Sequence, residues 1–420
     1  MQQTKYLIIG SSHAALEALS AIRIQDETGS VTLITRDEHL PYSPTILPYI
    51  VSGESDPDKI MLRSEADFEQ ADAKLIRGKT VVSVDPSANQ LRLESGETWQ
   101  YEKLLLATGA TPAVPPVPGL KDANFHVIRT LNDALGLRKA MKDAKTAVVL
   151  GAGFIGTHAA ENLAHAGLKV SMVEMQDQVL PWYFDPTAAG MIARVFGEKG
   201  IQVLTGHKVV GIEQDGDTTK VSLENGDILE ADLLVVSTGV RPVFDFLDGT
   251  EVETDQGILV DLSMQTNVDN IWSAGDVAQA KNFLRDGTMI NGILPDAVDQ
   301  GRIAGMAMAN DPAMKPYAGG VPINTFSFFG NQAVSVGTST EPEGASNIEV
   351  TELVDEEANS YLKIILQDDR LLGISSINQQ LDAGVMWQLI LRKTDLGEVK
   401  KDFTSDPVKT GRILMSATWR

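Results

Sequence analysis

Ala147-Val148-Val149-Leu150-Gly151-Ala152-Gly153-Phe154-Ile155-Gly156 reads as a buried strand running into a complete Gly-x-Gly-x-x-Gly turn. Ala159, Ala160, Leu163 and Ala164 then recur at helical spacing, and Val170-Ser171-Met172-Val173 supplies a second strand. Strand, glycine turn, helix and strand form a βαβ unit, which implies a parallel sheet with a right-handed crossover. The three glycines permit a tight turn, the approach of a pyrophosphate to backbone N–H groups, and close helix–strand packing. The start of the helix then faces the phosphates with its positive dipole end. Glu174 ends the second strand, where an acid binds ribose hydroxyls and repels a 2′-phosphate, so NAD(H) is favoured over NADP(H).

A second unit repeats the pattern at domain-scale separation. The apolar run Lys5 to Ile9 ends at Gly10-Ser11-Ser12-His13-Ala14-Ala15, followed by Leu16, Leu19 and Ile22 and by the strand Val31-Thr32-Leu33-Ile34. Here Ser replaces the second glycine and Ala the third, and the succession Thr35, Arg36, Asp37, Glu38 leaves the ribose acid open. Leu104-Leu105-Leu106-Ala107-Thr108-Gly109 is echoed by Leu233 to Gly239, each a buried strand ending in Thr-Gly. Ala113 to Gly119, rich in Pro and Val, reads as a linker. From about Val321 the runs shorten and alternate, as in Tyr361 to Leu366 and Leu371 to Ile374, with a helix near Ala383 to Arg392. That texture suggests a closing α+β domain of antiparallel strands.

The 420 residues contain no cysteine. No disulfide, thiolate nucleophile, thiolate-bound zinc or cysteine-ligated iron–sulfur cluster belongs to such a chain. A net charge of −22 argues against nucleic acid and against docking on anionic lipid. The N-terminus lacks a basic region followed by an apolar stretch, and no apolar run reaches the length of a membrane span, so a cytoplasmic protein is expected. Six scattered histidines give no metal spacing, and there is no Gly-x-Ser-x-Gly elbow. The cluster Phe326, Phe328, Phe329 reads as core or subunit interface.

Ile271-Trp272-Ser273-Ala274-Gly275-Asp276-Val277-Ala278 reads as a strand ending in Gly-Asp with a helix to follow. With this element in place, the chain resembles the flavoprotein pyridine-nucleotide reductases that carry two dinucleotide-binding domains. These include ferredoxin and rubredoxin reductases, NADH oxidases and disulfide reductases. The resemblance implies an α/β fold of two Rossmann-like domains and a C-terminal α+β interface domain. The boundaries would be FAD 1–115 and 243–320, NAD(H) 116–242, and interface 321–420. It implies FAD contacts from Gly10, Ser12, His13, Ala14, Asp37, Pro44, Thr45, Ala107, Thr108, Gly109, Gly275, Asp276, Pro295 and Ala297. The segment Pro295 to Arg302 resembles the stretch beside the flavin that precedes a long helix. NAD contacts would come from Gly151, Gly153, Phe154, Ile155, Gly156, Glu174, Thr238 and Gly239. Phe154 matches an aromatic that covers the nicotinamide pocket and moves aside for NADH.

The chain departs from the thiol-using relatives in the loop His39 to Tyr49, where Thr45 stands at or beside their redox cysteine. A threonine forms neither a sulfenate nor a mixed disulfide, so disulfide-reductase, peroxidase and water-forming oxidase mechanisms are disfavoured. Thr45 is then either a plain loop residue or one with a role at the flavin. His158 stands where relatives often have glutamate, and is either a nicotinamide or flavin contact or a packed helix histidine.

Hydride transfer between NADH and FAD is the implied chemistry, with the flavin's electrons exchanged with an outside acceptor. The expected partner is an iron–sulfur protein or the iron–sulfur subunit of a larger complex, such as a tungsten aldehyde oxidoreductase or a phenylglyoxylate-type dehydrogenase. Electrons in such a complex can flow towards NAD⁺. Alternatives are a stand-alone peroxide-forming NADH oxidase and a slow flavin redox sensor, and the C-terminal domain is a candidate homodimer contact. Residues 390–420 carry a net +3 and offer a docking face for an acidic partner, or simply a solvated helix face.

Overall fold

The computed structural model describes residues 2–342 and 344–418. They gather into two compact units, one of residues 2–47, 55–111 and 240–320, the other of residues 48–54, 112–239 and 321–418.

The first unit is built on a seven-stranded sheet. Its parallel part runs Ala73–Ile76, Val31–Ile34, Gln2–Ile9, Thr98–Leu106, Ile271–Ser273. Leu7, Ile8, Leu33, Ile34, Leu104, Leu105, Leu106 and Ile271 are wholly buried, as a parallel sheet covered on both faces requires. Ile9 pairs with both Ile34 and Leu106, and Leu106 with Ser273, so the carboxyl ends of four strands finish level. The residues just beyond them, Gly10, Ala107 and Ala274, therefore share one sheet edge, where ligands bind in open α/β sheets. The helices His13–Gln25 and Leu294–Met308 pack closely through small residues. A Cβ on Gly301 would come within 2.2 Å of the Ala14 oxygen, and one on Gly305 within 2.5 Å of the Ala18 oxygen.

The second unit repeats the arrangement with four parallel strands in the order Gln202–Leu204, Lys169–Val173, Thr146–Leu150, Leu233–Val236. An antiparallel trio, Val209–Asp215, Thr218–Leu223 and Ile228–Ala231, lies in the same unit. So does the expected antiparallel C-terminal sheet, whose edge strand Ile348–Asp355 exposes Val350, Leu353 and Val354. Phe326 and Phe328 are buried and stack at 5.0 Å, which is the core role expected of them. Among the described residues no helix is long and apolar enough to cross a membrane.

Two expectations need correction. Gly275-Asp276 leads into a short strand, Ala278–Lys281, rather than a helix. The left-handed φ of +81° at Gly275 and the Ala278 N–H to Gly275 carbonyl bond of 2.9 Å fold the chain into a turn there. Pro295 to Arg302 does not precede the helix but lies inside Leu294–Met308, with Pro295 in the first turn, where its missing N–H has no helical partner to lose. Two of the tail's basic side chains are paired within the chain. Lys400 bonds Glu349 at 2.7 Å and Asp369 at 2.5 Å, and Arg412 bonds Asp382 at 3.0 Å, while Arg420 lies outside the described residues.

Candidate dinucleotide sites

In the second unit the glycine turn is stitched to the strand ends by the Gly151 N–H to the Val173 carbonyl at 2.7 Å and the Ser237 N–H to the Leu150 carbonyl at 2.8 Å. Gly151 takes φ +96°, and a Cβ there would lie 2.5 Å from the Ser237 oxygen. One on Gly156 would lie 2.0 Å from the Gly151 oxygen and 2.6 Å from Ser237 Oγ. A Cβ on Gly153 would meet nothing within 4 Å. Gly153 is the N-cap of the helix Phe154–His165, and no side chain caps that helix, so its first N–H donors face this open space. Glu174 Oε2 accepts the Ala152 N–H at 2.8 Å, and Oε1 accepts the Gln176 N–H at 2.9 Å. That fixes an acid beside the turn with lone pairs to spare. Replacing Glu174 by Ala should raise KM for NADH roughly tenfold, the value of about 1.4 kcal/mol, and narrow the preference over NADPH. Steady-state kinetics with both nucleotides check this.

Phe154 packs between Tyr183, at 4.3 Å between ring centres, and Phe326, at 5.4 Å. His158 sets its edge against Phe326 at 5.1 Å, and burial pushes its pKa down, so the ring is held neutral. Ile155 is exposed, and Thr238 turns its hydroxyl onto the Ala113 carbonyl at 2.7 Å ahead of Gly239 at φ +103°.

In the first unit Gly10 takes φ +121°, and a Cβ there would sit 2.1 Å from the Ala107 oxygen. Ser12 is the N-cap of His13–Gln25 and makes no side-chain cap bond, so this helix start also keeps its donors. Around it lie Ala14, Gly275 and Ala297. A Cβ on Gly275 would lie 3.3 Å from Ala14 Cβ and 3.9 Å from Ala297 Cβ, which joins three of the sequence-read segments at one point. His13 Nε2 lies 2.9 Å from Ser43 Oγ, which lies 2.8 Å from Thr45 Oγ1 beside Pro44. Burial lowers the pKa of His13, opposed by the charges of Glu17 and Asp276. Asp37 uses both carboxylate oxygens locally, accepting the His39 N–H at 2.9 Å and the Tyr42 hydroxyl at 2.7 Å. Thr108 bonds the Val243 carbonyl at 2.6 Å, ahead of Gly109 at φ +65°.

Four residues escaped the sequence reading: Tyr183, Ser237, Asp296 and Gln300. Asp296 and Gln300, one helical turn apart, were visible as polar residues on the small-residue face that carries Ala297, Gly301 and Gly305. Asp296 is 3% exposed, and burial pushes its pKa up to about 6. A carboxyl raised in the fold contributes stability that is lost as pH rises through the folded value. Asp296→Asn should therefore melt higher than the parent at pH 7.5, with the gap closing towards pH 4; thermal scans at both pH values check it.

Residues 4–302 match the family model described as pyridine nucleotide-disulphide oxidoreductase. The chain belongs to that family. It is 52% identical over 422 residues to the NADH-dependent phenylglyoxylate dehydrogenase subunit epsilon of Aromatoleum evansii, covering 100% of this chain and 99% of that one. The ferredoxin reductase for the CYP199A2 system from Rhodopseudomonas palustris superposes with a TM-score of 0.81 at 30% identity, covering 89% of this chain and 91% of that one. The putidaredoxin reductase–putidaredoxin complex gives a TM-score of 0.85 at 24% identity over 97% of this chain and all of that one, a likeness of fold. Within a family whose name records disulphide chemistry, this member has no cysteine with which to perform it.

Proposed function

We propose that this chain is a FAD-dependent NAD(H):acceptor oxidoreductase, the flavin subunit of a larger cytoplasmic dehydrogenase complex, exchanging electrons with an iron–sulfur partner. The observation that carries the reading is the end-to-end 52% identity to an epsilon subunit. The lack of any thiol agrees with it, because no second redox centre stands between the cofactor and an outside acceptor.

Residues 1–115 and 243–320 hold FAD in this reading, 116–242 hold NAD(H), and 321–420 form the interface domain. Bound FAD would supply hydride exchange with NADH or NAD⁺ and electron exchange with the partner. The chain's own work is binding and alignment. The uncapped helix starts at Ser12 and Gly153 offer N–H donors to the pyrophosphates. Glu174 takes the ribose hydroxyls of NAD(H), and Phe154, held between Tyr183 and Phe326, walls the nicotinamide side. Such alignment makes hydride transfer effectively unimolecular. The open edge strand Ile348–Asp355, with its exposed Val350, Leu353 and Val354, suits contact with another subunit.

Purified chain should carry FAD that NADH bleaches without oxygen, and native purification should bring down an iron–sulfur protein whose clusters reduce with it. Rapid NADH consumption in air by the chain alone, with stoichiometric peroxide, would favour the oxidase reading instead.

A further inference from the structure

The family resemblance implies FAD contacts from Gly275 and Asp276, and the proposed function makes no use of the buried polar chain behind them. The Gly275 N–H donates to Gln300 Oε1 at 2.9 Å. Gln300 Nε2 donates to the Tyr317 hydroxyl at 3.3 Å, and that hydroxyl donates to Asp296 Oδ2 at 3.0 Å. Asn291 Nδ2 donates to the same oxygen at 2.6 Å. Each donor thus points towards one carboxylate. Gln300, Asp296 and Tyr317 are all buried, and a Cβ on Gly320 would come within 2.6 Å of Asp296 Oδ2, so the chain is closed in on that side as well.

A carboxylate is a costly residue to bury where an apolar one of similar volume would pack. What it gains is hydrogen-bond strength, since charge-assisted bonds are about twice as strong as neutral ones. The titratable groups facing it are Tyr317, from the segment after its helix, and Asp299, on its own helix. Burial keeps the Tyr317 phenol protonated, and the negative charge of Asp299 adds to desolvation in favouring the protonated form of Asp296. The charge that tightens this chain is therefore easily lost on mild acidification.

We propose that Asp296 is a positioning residue for the flavin cofactor, holding the Gly275 amide through Tyr317 and Gln300 so that losing its charge loosens FAD. The inference rests on the reading of Gly275-Asp276 as part of the FAD site. It is tested by dialysing the holoprotein from pH 8 to pH 5 and measuring released FAD by its fluorescence. The FAD dissociation constant should rise about fivefold between pH 7.5 and pH 5, with its midpoint near the value of about 6 expected for Asp296. Asp296→Asn keeps an acceptor for Tyr317 but has no charge to lose, and should flatten the profile. Tyr317→Phe cuts the chain while leaving Asp296 titratable, and should flatten it too. Parallel profiles for the parent and Asp296→Asn overturn the proposal, as does a step that survives in Tyr317→Phe. Tight FAD binding with no step in the parent overturns it while leaving the FAD reading intact. A chain that takes up no FAD at any pH overturns both.

Discussion

Gly153→Val should melt within a degree or two of the parent and yet bind NADH more than about a hundredfold more weakly, a loss of roughly 3 kcal/mol. The two halves of that expectation come from different facts. Gly153 has φ −74° and ψ −175°, a backbone that any residue adopts, and a Cβ there meets nothing within 4 Å. Valine is a poorer N-cap than glycine, at a cost of up to about 1 kcal/mol, which in a chain of this length moves the melting temperature by only a degree or two. Its neighbours in the motif differ. Gly151 needs its left-handed φ, and a Cβ on Gly156 would sit 2.0 Å from the Gly151 oxygen. Gly156→Ala should therefore lose stability and binding together. Two glycines of the motif are required by the chain's own packing, and the third has no packing reason to be glycine. In the proposed reading the ligand supplies that reason, because a pyrophosphate would approach the uncapped helix start. Isothermal titration with NADH, paired with thermal melts of both variants, separates the cases. Unchanged NADH affinity in Gly153→Val would remove the nucleotide from that space.

The three glycines show how much of such a site a sequence can hold. Local features were legible: the strand ends, the turns, Glu174 and the Thr-Gly pairs each follow from rules that act over a few residues. The Gly-Asp element was legible as the end of a strand, but its sequel is a strand and not a helix. Asp276-Val277-Ala278 has no local signal against helix, and the strand Ala278–Lys281 exists because Ile258–Leu259 and Thr288–Met289 pair with it. Pairing within the basic tail was hidden for the same reason. Lys400 looks free in sequence, but its partners Glu349 and Asp369 lie far back along the chain. Gln300 and Asp296 sat on a recognisable helix face, yet their importance depends on Tyr317 and Gly275, which only the fold brings near. Residues whose roles are set by long-range pairing leave little mark on composition or period.

Asp185 is the strongest such case, and Asp185→Ala should destabilise the chain by about 3 to 5 kcal/mol. Its carboxylate is 4% exposed and caps the helix Pro186–Glu198 by accepting the Ala188 N–H at 3.0 Å. It also accepts the Tyr361 hydroxyl at 2.5 Å and Lys363 Nζ at 2.7 Å from the C-terminal sheet. Burial, with Asp185 beside it, pushes the Tyr361 phenol up, so that hydroxyl is a standing donor. Removing the acid strands the Lys363 ammonium, whose side chain is only 13% exposed, and an unpaired buried charge costs far more than a surface pair contributes. The effect should reach the nucleotide site, because Tyr183, which holds Phe154, lies two residues before Asp185. Asp185→Ala should therefore lower the melting temperature and weaken NADH binding together. Adding Lys363→Met removes the stranded charge, and replacing both members of a buried pair by apolar groups is often near neutral. The double variant should recover much of the lost stability but not the helix cap, which is worth about 1 kcal/mol. A double variant as unstable as Asp185→Ala would show that the helix cap and the acceptor for Tyr361, not the pair with Lys363, are what Asp185 supplies.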